Sequence, residues 1–143
     1  MPPYYFFSCI ALEVILHLLV PFYKYTFSHY QWIGLPIIVI GISINLIAKE
    51  TVLKSKSTVI PFQKPRLLVR HGPFRYSRNP MYLGMLLVLI GESILLGSLG
   101  TLIAPILFVL IITLKFIKPE EEMLKNVFEN DYINYKKEVR RWI

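Results

Sequence analysis

Residues 81–114 read MYLGMLLVLIGESILLGSLGTLIAPILFVLIITL, an apolar run whose only charge is Glu92. A spanning helix needs roughly 20 mostly apolar residues, within a range of about 17–25, so this run is too long for one crossing. Gly97-Ser98-Leu99-Gly100 sits in its middle and reads as a tight turn. The stretch therefore predicts a hairpin of helices over 81–96 and 101–117. Outward from it, 4–23 is interrupted only by Glu13 and His17, and 32–48 carries no charge. The expected fold is all-α and integral to a membrane, with four transmembrane helices in two hairpins, in one domain over 1–143.

Composition agrees. The 143 residues are 55% hydrophobic and 17% charged, with mean hydropathy +0.52. Soluble domains run nearer 45–50% apolar and about 25% charged. These values exclude disorder, a nucleic-acid-binding tail and most soluble enzymes. A lone Cys9 excludes a disulfide framework and a cysteine-built metal site. A secretory leader does not fit the first span, which has no basic start, contains Glu13, and is followed by no small-x-small cleavage site.

The net charge of +7 falls unevenly. The 49–79 loop holds Lys49, Lys54, Lys56, Lys64, Arg66, Arg70, Arg75 and Arg78 against Glu50 alone. Lys118, Lys125, Lys136, Lys137, Arg140 and Arg141 follow the fourth span, while the other two connections carry only Lys24. Basic loops stay in the cytoplasm, which places both termini and the 49–79 loop there, next to anionic lipid. Beyond Pro119, the residues Leu124, Phe128, Tyr132, Tyr135, Val139 and Trp142 recur at spacings of three and four. They predict a C-terminal amphipathic cytoplasmic helix over 119–141, started by Pro119 and the acids behind it.

The densest chemistry lies in 67–84, LLVRHGPFRYSRNPMYLG, where the loop re-enters the bilayer. Pro80 suits the first turn of the third span and Asn79 its N-cap. Arginines and tyrosines at such a place also serve as interfacial anchors. Anchoring does not explain why so many polar and bending residues gather at one helix entrance, and a helix N-terminus beside an arginine is a ready anion site. In Glu120-Glu121-Glu122, acids belong in a first helical turn on dipole grounds alone. Helical geometry separates them: Glu120 and Glu121 share the apolar side of Leu124, and Glu122 points to water. Cys9, Glu13 and His17 form one stripe on the first span, read as a buried, hydrogen-bonded seam against a neighbouring helix. Glu92 lies deep in the third span, with His17 or Asn45 as expected partner. No Gly-rich dinucleotide fingerprint, Walker loop, nucleophile elbow or zincin motif occurs.

The order Leu68-Val69, Gly72-Pro73-Phe74-Arg75-Tyr76-Ser77-Arg78-Asn79-Pro80-Met81-Tyr82-Leu83-Gly84, then Glu120-Glu121 with Leu124, Phe128, Tyr132, Tyr135, Val139 and Arg141-Trp142-Ile143, resembles the membrane-embedded methyltransferases. These include the isoprenylcysteine carboxyl methyltransferases, the phospholipid N-methyltransferases and small prokaryotic relatives. The resemblance covers roughly the C-terminal half. It implies S-adenosylmethionine as methyl donor at the cytoplasmic face and a lipophilic or small membrane-permeant acceptor, with no metal. By family position, Leu67, Leu68, Val69, Phe74, Asn79, Pro80, Met81 and Tyr82 line the cofactor pocket. Glu120 binds the cofactor, Glu121 supports it, and Arg78 takes the cofactor's carboxylate or orients the substrate, so that Arg78, Tyr82 and Glu120 form the implied catalytic set. The prenylcysteine enzymes carry arginine four residues before the acid pair and histidine at the Asn79 position; this chain has Phe116 and Asn79.

Two other readings compete. An NADPH-dependent sterol-type reductase shares an arginine-bearing re-entry and a Tyr-rich C-terminal helix. A non-catalytic four-helix protein such as a small transporter predicts polar residues along a path across the bilayer, whereas here they collect at one face. The orientation is open to direct test. In a Cys9→Ser background, a cysteine placed at Ser57 is expected to react with impermeant maleimide in inverted vesicles only; labelling from outside intact cells refutes it.

Overall fold

The computed structural model describes residues 1–19, 30–55 and 67–143. The sequence expectations for Tyr23, Lys24, Lys56, Ser57, Lys64 and Arg66 lie outside the described residues. Within them every regular element is helical: α1 (Pro2–Leu19), α2 (Gly34–Lys54), α3 (Pro80–Leu96), α4 (Ile103–Ile112) and α5 (Lys118–Glu138), with 3-10 turns at Tyr30–Ile33, Gly72–Arg75 and Leu99–Leu102.

Three helical stretches among the described residues are long and apolar enough to cross a membrane: Pro2–Leu19, Tyr30–Lys54 and Leu99–Glu138. The remaining predicted span corresponds to α3, apolar but 17 residues long. At 1.5 Å per residue that is about 26 Å, short of a hydrocarbon core about 30 Å thick. The hairpin turn falls where the sequence puts it. Gly97 closes α3 in the left-handed conformation, φ 63°, with its N–H on the carbonyls of Ser93 and Ile94.

α3 is the centre of the bundle. On one side it meets α2 backbone to backbone. A Cβ added at Gly84 would stand 2.5 Å from the Gly41 carbonyl oxygen, and one at Gly91 would stand 2.7 Å from that of Gly34. The two helices run antiparallel, with a seven-residue glycine spacing on each. In lipid, where apolar side chains gain little by leaving the solvent, this close approach supplies the packing energy. Asn45 reinforces the seam by donating from Nδ2 to the Met81 carbonyl at 2.8 Å. On the other side Tyr82 and Leu89 of α3 pack with Cys9 of α1 and Ala104, Phe108, Ile112, Phe116 and Ile117.

The predicted fourth span runs into the start of the tail helix without a break. A π-helical turn, Thr113–Ile117, connects α4 to α5. It stands immediately before Pro119, whose ring would clash with the Lys115 carbonyl in an ordinary α-helical turn; the wider turn accommodates it. It also turns both Phe116 and Ile117 inward. α5 kinks at Glu129 (φ 42°, ψ −116°) and ends at Glu138, three residues short of the predicted 141. Val139 is extended, and the tail leaves the helix for partners described below.

The Cys9–Glu13–His17 stripe needs correction at His17. Cys9 and Glu13 are buried, and Glu13 meets the Ser93 hydroxyl of α3. His17 is half-buried, and its Nδ1 finds no hydrogen-bond partner among the described residues. Nor does Asn45 serve Glu92: it stands level with the start of α3 and spends its amide on Met81.

The glycine seam makes a sharp prediction. Gly84→Ala drives a methyl into the Gly41 carbonyl and the Asn45 backbone nitrogen, at 2.5 and 2.9 Å, and backbone cannot yield without parting the helices. The expected cost is about 1–3 kcal/mol, seen as a lower melting temperature in detergent. Gly100→Ala, whose nearest foreign atom is Ser98 Oγ at 3.8 Å, is the control and should melt like the parent.

Candidate active site

The segment before α3 is held by the tail. The Gly72–Arg75 turn begins with Gly72 at φ 60°, close against Thr51. Pro80 occupies the first turn of α3 and is buried, as its fixed φ and missing N–H favour. Asn79 holds the N-cap position, but its side chain makes no capping bond. It donates instead to the Arg141 carbonyl at 3.0 Å. Ser77 Oγ donates to the same carbonyl at 3.4 Å and accepts the Asn79 N–H at 3.1 Å. The Arg78 N–H meets the Arg140 carbonyl at 3.0 Å. An extended tail presents carbonyls with no helical partner, and these outcompete the cap.

Beneath lie the acids. Glu122 is exposed, whereas Glu120 and Glu121 turn inward, as the helical spacing requires. The Tyr82 hydroxyl donates to Glu120 Oε1 at 3.0 Å. Glu121 receives a fork from Arg141, Nε to Oε1 at 2.9 Å and Nη2 to Oε2 at 2.8 Å. Arg78 Nη1 reaches Glu121 Oε1 at 3.2 Å and donates to the Tyr132 hydroxyl at 3.3 Å. Arg78 Nε is buried without a partner among the described residues. Tyr135 donates to the Phe74 carbonyl at 2.6 Å. Arg70 donates to the Asp131 carbonyl at 2.7 Å, two residues past the kink, and stands over the Tyr135 ring.

The neighbouring acids thus have opposite electrostatics. Burial pushes the Glu120 carboxyl up to about 7, and the Tyr82 hydrogen bond offsets only part of this. Burial also acts on Glu121, but the Arg141 fork and the charges of Arg78 and Arg141 outweigh it and hold the carboxyl below its ordinary range.

Of the residues singled out in the sequence, Arg78, Tyr82, Glu120 and Glu121 converge at one end of the bundle. Leu67, Leu68 and Val69 line an open cleft with Lys54, Ser55 and His71, and Leu68 also packs with Tyr132, Tyr135 and Val139. Phe74 and Met81 are tied in through their carbonyls. Sequence reasoning assigned no role in the site to Arg141, Tyr132 or Ser77. The signals for Arg141 are its place in the family-like Arg141-Trp142-Ile143 ending and its charge at the end of an apolar stripe. Phe116 is buried edge-on to Tyr5, while Lys115 donates to the Tyr5 hydroxyl at 3.3 Å.

These features define a helical membrane protein with a buried acid–arginine site at the foot of its bundle. The profile described as phospholipid methyltransferase matches residues 30–131, and the chain belongs to that family. A protein-S-isoprenylcysteine O-methyltransferase of Schizosaccharomyces pombe is 30% identical over 121 residues, 81% of this chain and 50% of that protein. A probable protein-S-isoprenylcysteine O-methyltransferase of Oryza sativa subsp. indica is 31% identical over 111 residues, 76% of this chain and 58% of that protein. An uncharacterized Haemophilus influenzae protein is 38% identical over 63 residues, 44% of this chain and the whole of that protein. The chain spans about half the length of the isoprenylcysteine methyltransferases it matches.

Glu120 carries a pH signature. Its native carboxyl keeps a proton that the unfolded chain has already lost, so its contribution to stability falls as pH rises from the ordinary carboxylate range through about 7. Glu121 acts oppositely and in a separate window, losing its contribution as pH falls below the ordinary range. Melting between pH 4.5 and 7.5 is expected to show a decline that Glu120→Gln makes shallower and Glu122→Gln preserves; parallel curves for parent and Glu120→Gln refute it.

Proposed function

We propose that this chain is a single-domain, four-crossing membrane methyltransferase. On this reading it uses S-adenosylmethionine and a lipophilic or small membrane-permeant acceptor at the cytoplasmic face. The arrangement at the foot of α3 carries the reading: an arginine edge buried with no partner among the described residues, and a buried carboxyl that accepts a hydrogen bond from Tyr82. The proposed cofactor has a carboxylate, an ammonium, a sulfonium and an adenine. The Nε edge of Arg78 suits the carboxylate, Glu120 suits a cation, and Tyr82 and Phe74 offer aromatic faces.

When bound, S-adenosylmethionine supplies an electrophilic methyl carbon for in-line displacement. The protein's own contribution is alignment and exclusion of water rather than proton transfer. Tyr82 fixes one Glu120 oxygen and leaves the other free for a cation. Glu121, locked by two arginines, fixes the height of Arg78. Asn79, Pro80 and Met81 set the angle at which α3 enters, and Leu67, Leu68 and Val69 form an apolar wall. A nucleophile such as a thiolate, a carboxylate or a phosphate-linked amine needs little further activation.

Binding in detergent tests the reading. Calorimetry is expected to show S-adenosylhomocysteine binding and no binding of NADPH; the reverse supports the reductase reading. Glu120→Gln should weaken S-adenosylhomocysteine at least tenfold, about 1.4 kcal/mol or more, and Glu122→Gln less than twofold. Arg78→Lys should cost tenfold as well, because lysine lacks the planar fork, while exposed Arg75→Lys should be mild.

A further inference from the structure

We infer that Arg141 is a positioning residue: by holding Glu121, it keeps the Nε edge of Arg78 open to the carboxylate of a ligand. The inference rests on the proposed function and names the device that keeps its anion subsite available.

Two guanidiniums compete for one carboxylate. Arg141 takes both oxygens of Glu121 in a fork, at 2.9 and 2.8 Å, while Arg78 has one longer contact through Nη1, at 3.2 Å. The Arg78 and Glu121 side chains are 7% and 12% exposed, and Arg141 comes in from the rim at 34%. The three groups sum to one surplus positive charge, and the unpaired Nε shows which residue carries it. A buried guanidinium left one donor short is costly, and an anion is what relieves it.

Without the Arg141 side chain, Arg78 is the one cation still in direct contact with Glu121, the charge of Lys136 acting from farther off. Both its oxygens are then free to close on Arg78, neutralising it and filling the edge. The tail's docking does not depend on that side chain. The bonds from Arg78 N–H, Asn79 Nδ2 and Ser77 Oγ all end on the backbone carbonyls of Arg140 and Arg141. The role is therefore separable from stapling the tail, and it predicts a reversal: once Arg141 is gone, removing the Glu121 charge as well should restore binding. A staple predicts no such rescue.

The full chain in detergent tests this with two nucleosides. S-adenosylhomocysteine carries the carboxylate, and 5′-methylthioadenosine lacks it. Arg141→Ala is expected to weaken S-adenosylhomocysteine tenfold or more and leave methylthioadenosine within twofold, whatever its effect on the apo melting temperature. The double variant Arg141→Ala, Glu121→Gln should recover at least threefold over Arg141→Ala. A double variant no better than Arg141→Ala, or equal losses for both nucleosides, overturns the inference. If Arg141→Ala does not fold, Arg141→Gln, which keeps volume but not charge, is held to the same outcomes. A cofactor-free measurement separates this inference from the reading beneath it. In ¹⁵N-labelled apo protein, the Arg78 Nε–H signal, assigned through Arg78→Lys, should move downfield in Arg141→Ala as it gains a carboxylate. An unmoved signal overturns the inference even if the cofactor binds. A moved signal in a protein that binds no S-adenosylhomocysteine sustains it and sinks the proposed cofactor.

Discussion

A carboxylate buried against an apolar bundle costs several kcal/mol unless its charge is met with good geometry. Glu121 is met twice, by Arg141 and by Arg78, and these three residues lie on three separate parts of the chain: the segment entering α3, the start of α5 and the terminal tail. Much else in this half of the molecule answers to that pairing. The tail leaves its helix at Val139 and runs back beneath the bundle, where its carbonyls meet Ser77, Arg78 and Asn79. α5 changes direction at Glu129, and Arg70 secures the next stretch at Asp131. Tyr132 and Tyr135 then drop onto Arg78 and Phe74.

The membrane half answers to a different constraint. α3 is short for a crossing and has its two sides occupied in different ways. One side has glycines that let α2 approach to backbone contact; the other packs large side chains, Tyr82 and Leu89, against α1 and α4. Because α2 and α3 touch through backbone, the depth of α3 follows α2 closely, and Asn45 pins its first turn. The site therefore stands on a rigid support where α3 begins. Its other wall, α5, is fixed through the π turn to α4.

Local pattern reaches some of this and not the rest. Hydropathy is a property of a window, so α1, α2 and the 81–117 hairpin with its Gly97 turn are legible from the sequence. Helical periodicity is local too, and it separates inward Glu120 and Glu121 from outward Glu122 without any structure. Partner choice is not local. Arg141 and Glu121 are twenty residues apart, and Arg141 and Arg78 sixty-three, so no spacing rule joins them. Asn79 reads as a cap because capping is the nearest bond available to it; the Arg141 carbonyl is nearer in space and invisible in sequence. Each glycine in α2 and α3 reads singly as a tolerated defect, and only the antiparallel pairing turns two seven-residue spacings into one seam. Pro119 reads as a helix start because proline prefers that place, but the π turn before it lets the helix run through. The Cys9–Glu13–His17 stripe is legible as one face, since periodicity reports faces, but what each residue meets there is not, since that depends on what the opposite helix offers.

Adjacent acids on a helix differ in direction by about 100°, and here that angle decides their chemistry. Glu120 points at α3 and finds one neutral hydroxyl, so burial dominates and its charge stays conditional on pH or on a cation. Glu121 points at the arginines, so its charge is permanent and its position fixed. Exchanging these roles would put the fixed charge beside Tyr82 and leave Arg78 beside a carboxyl that loses its charge near neutral pH. As built, the conditional negative charge and the surplus positive charge rest on different partners, Glu120 on Tyr82 and Arg78 on the Glu121 that Arg141 also holds. On the proposed reading, a ligand carrying both an ammonium and a carboxylate satisfies both groups, and one carrying only one leaves a buried group unsatisfied, which would let a site made of so few residues discriminate.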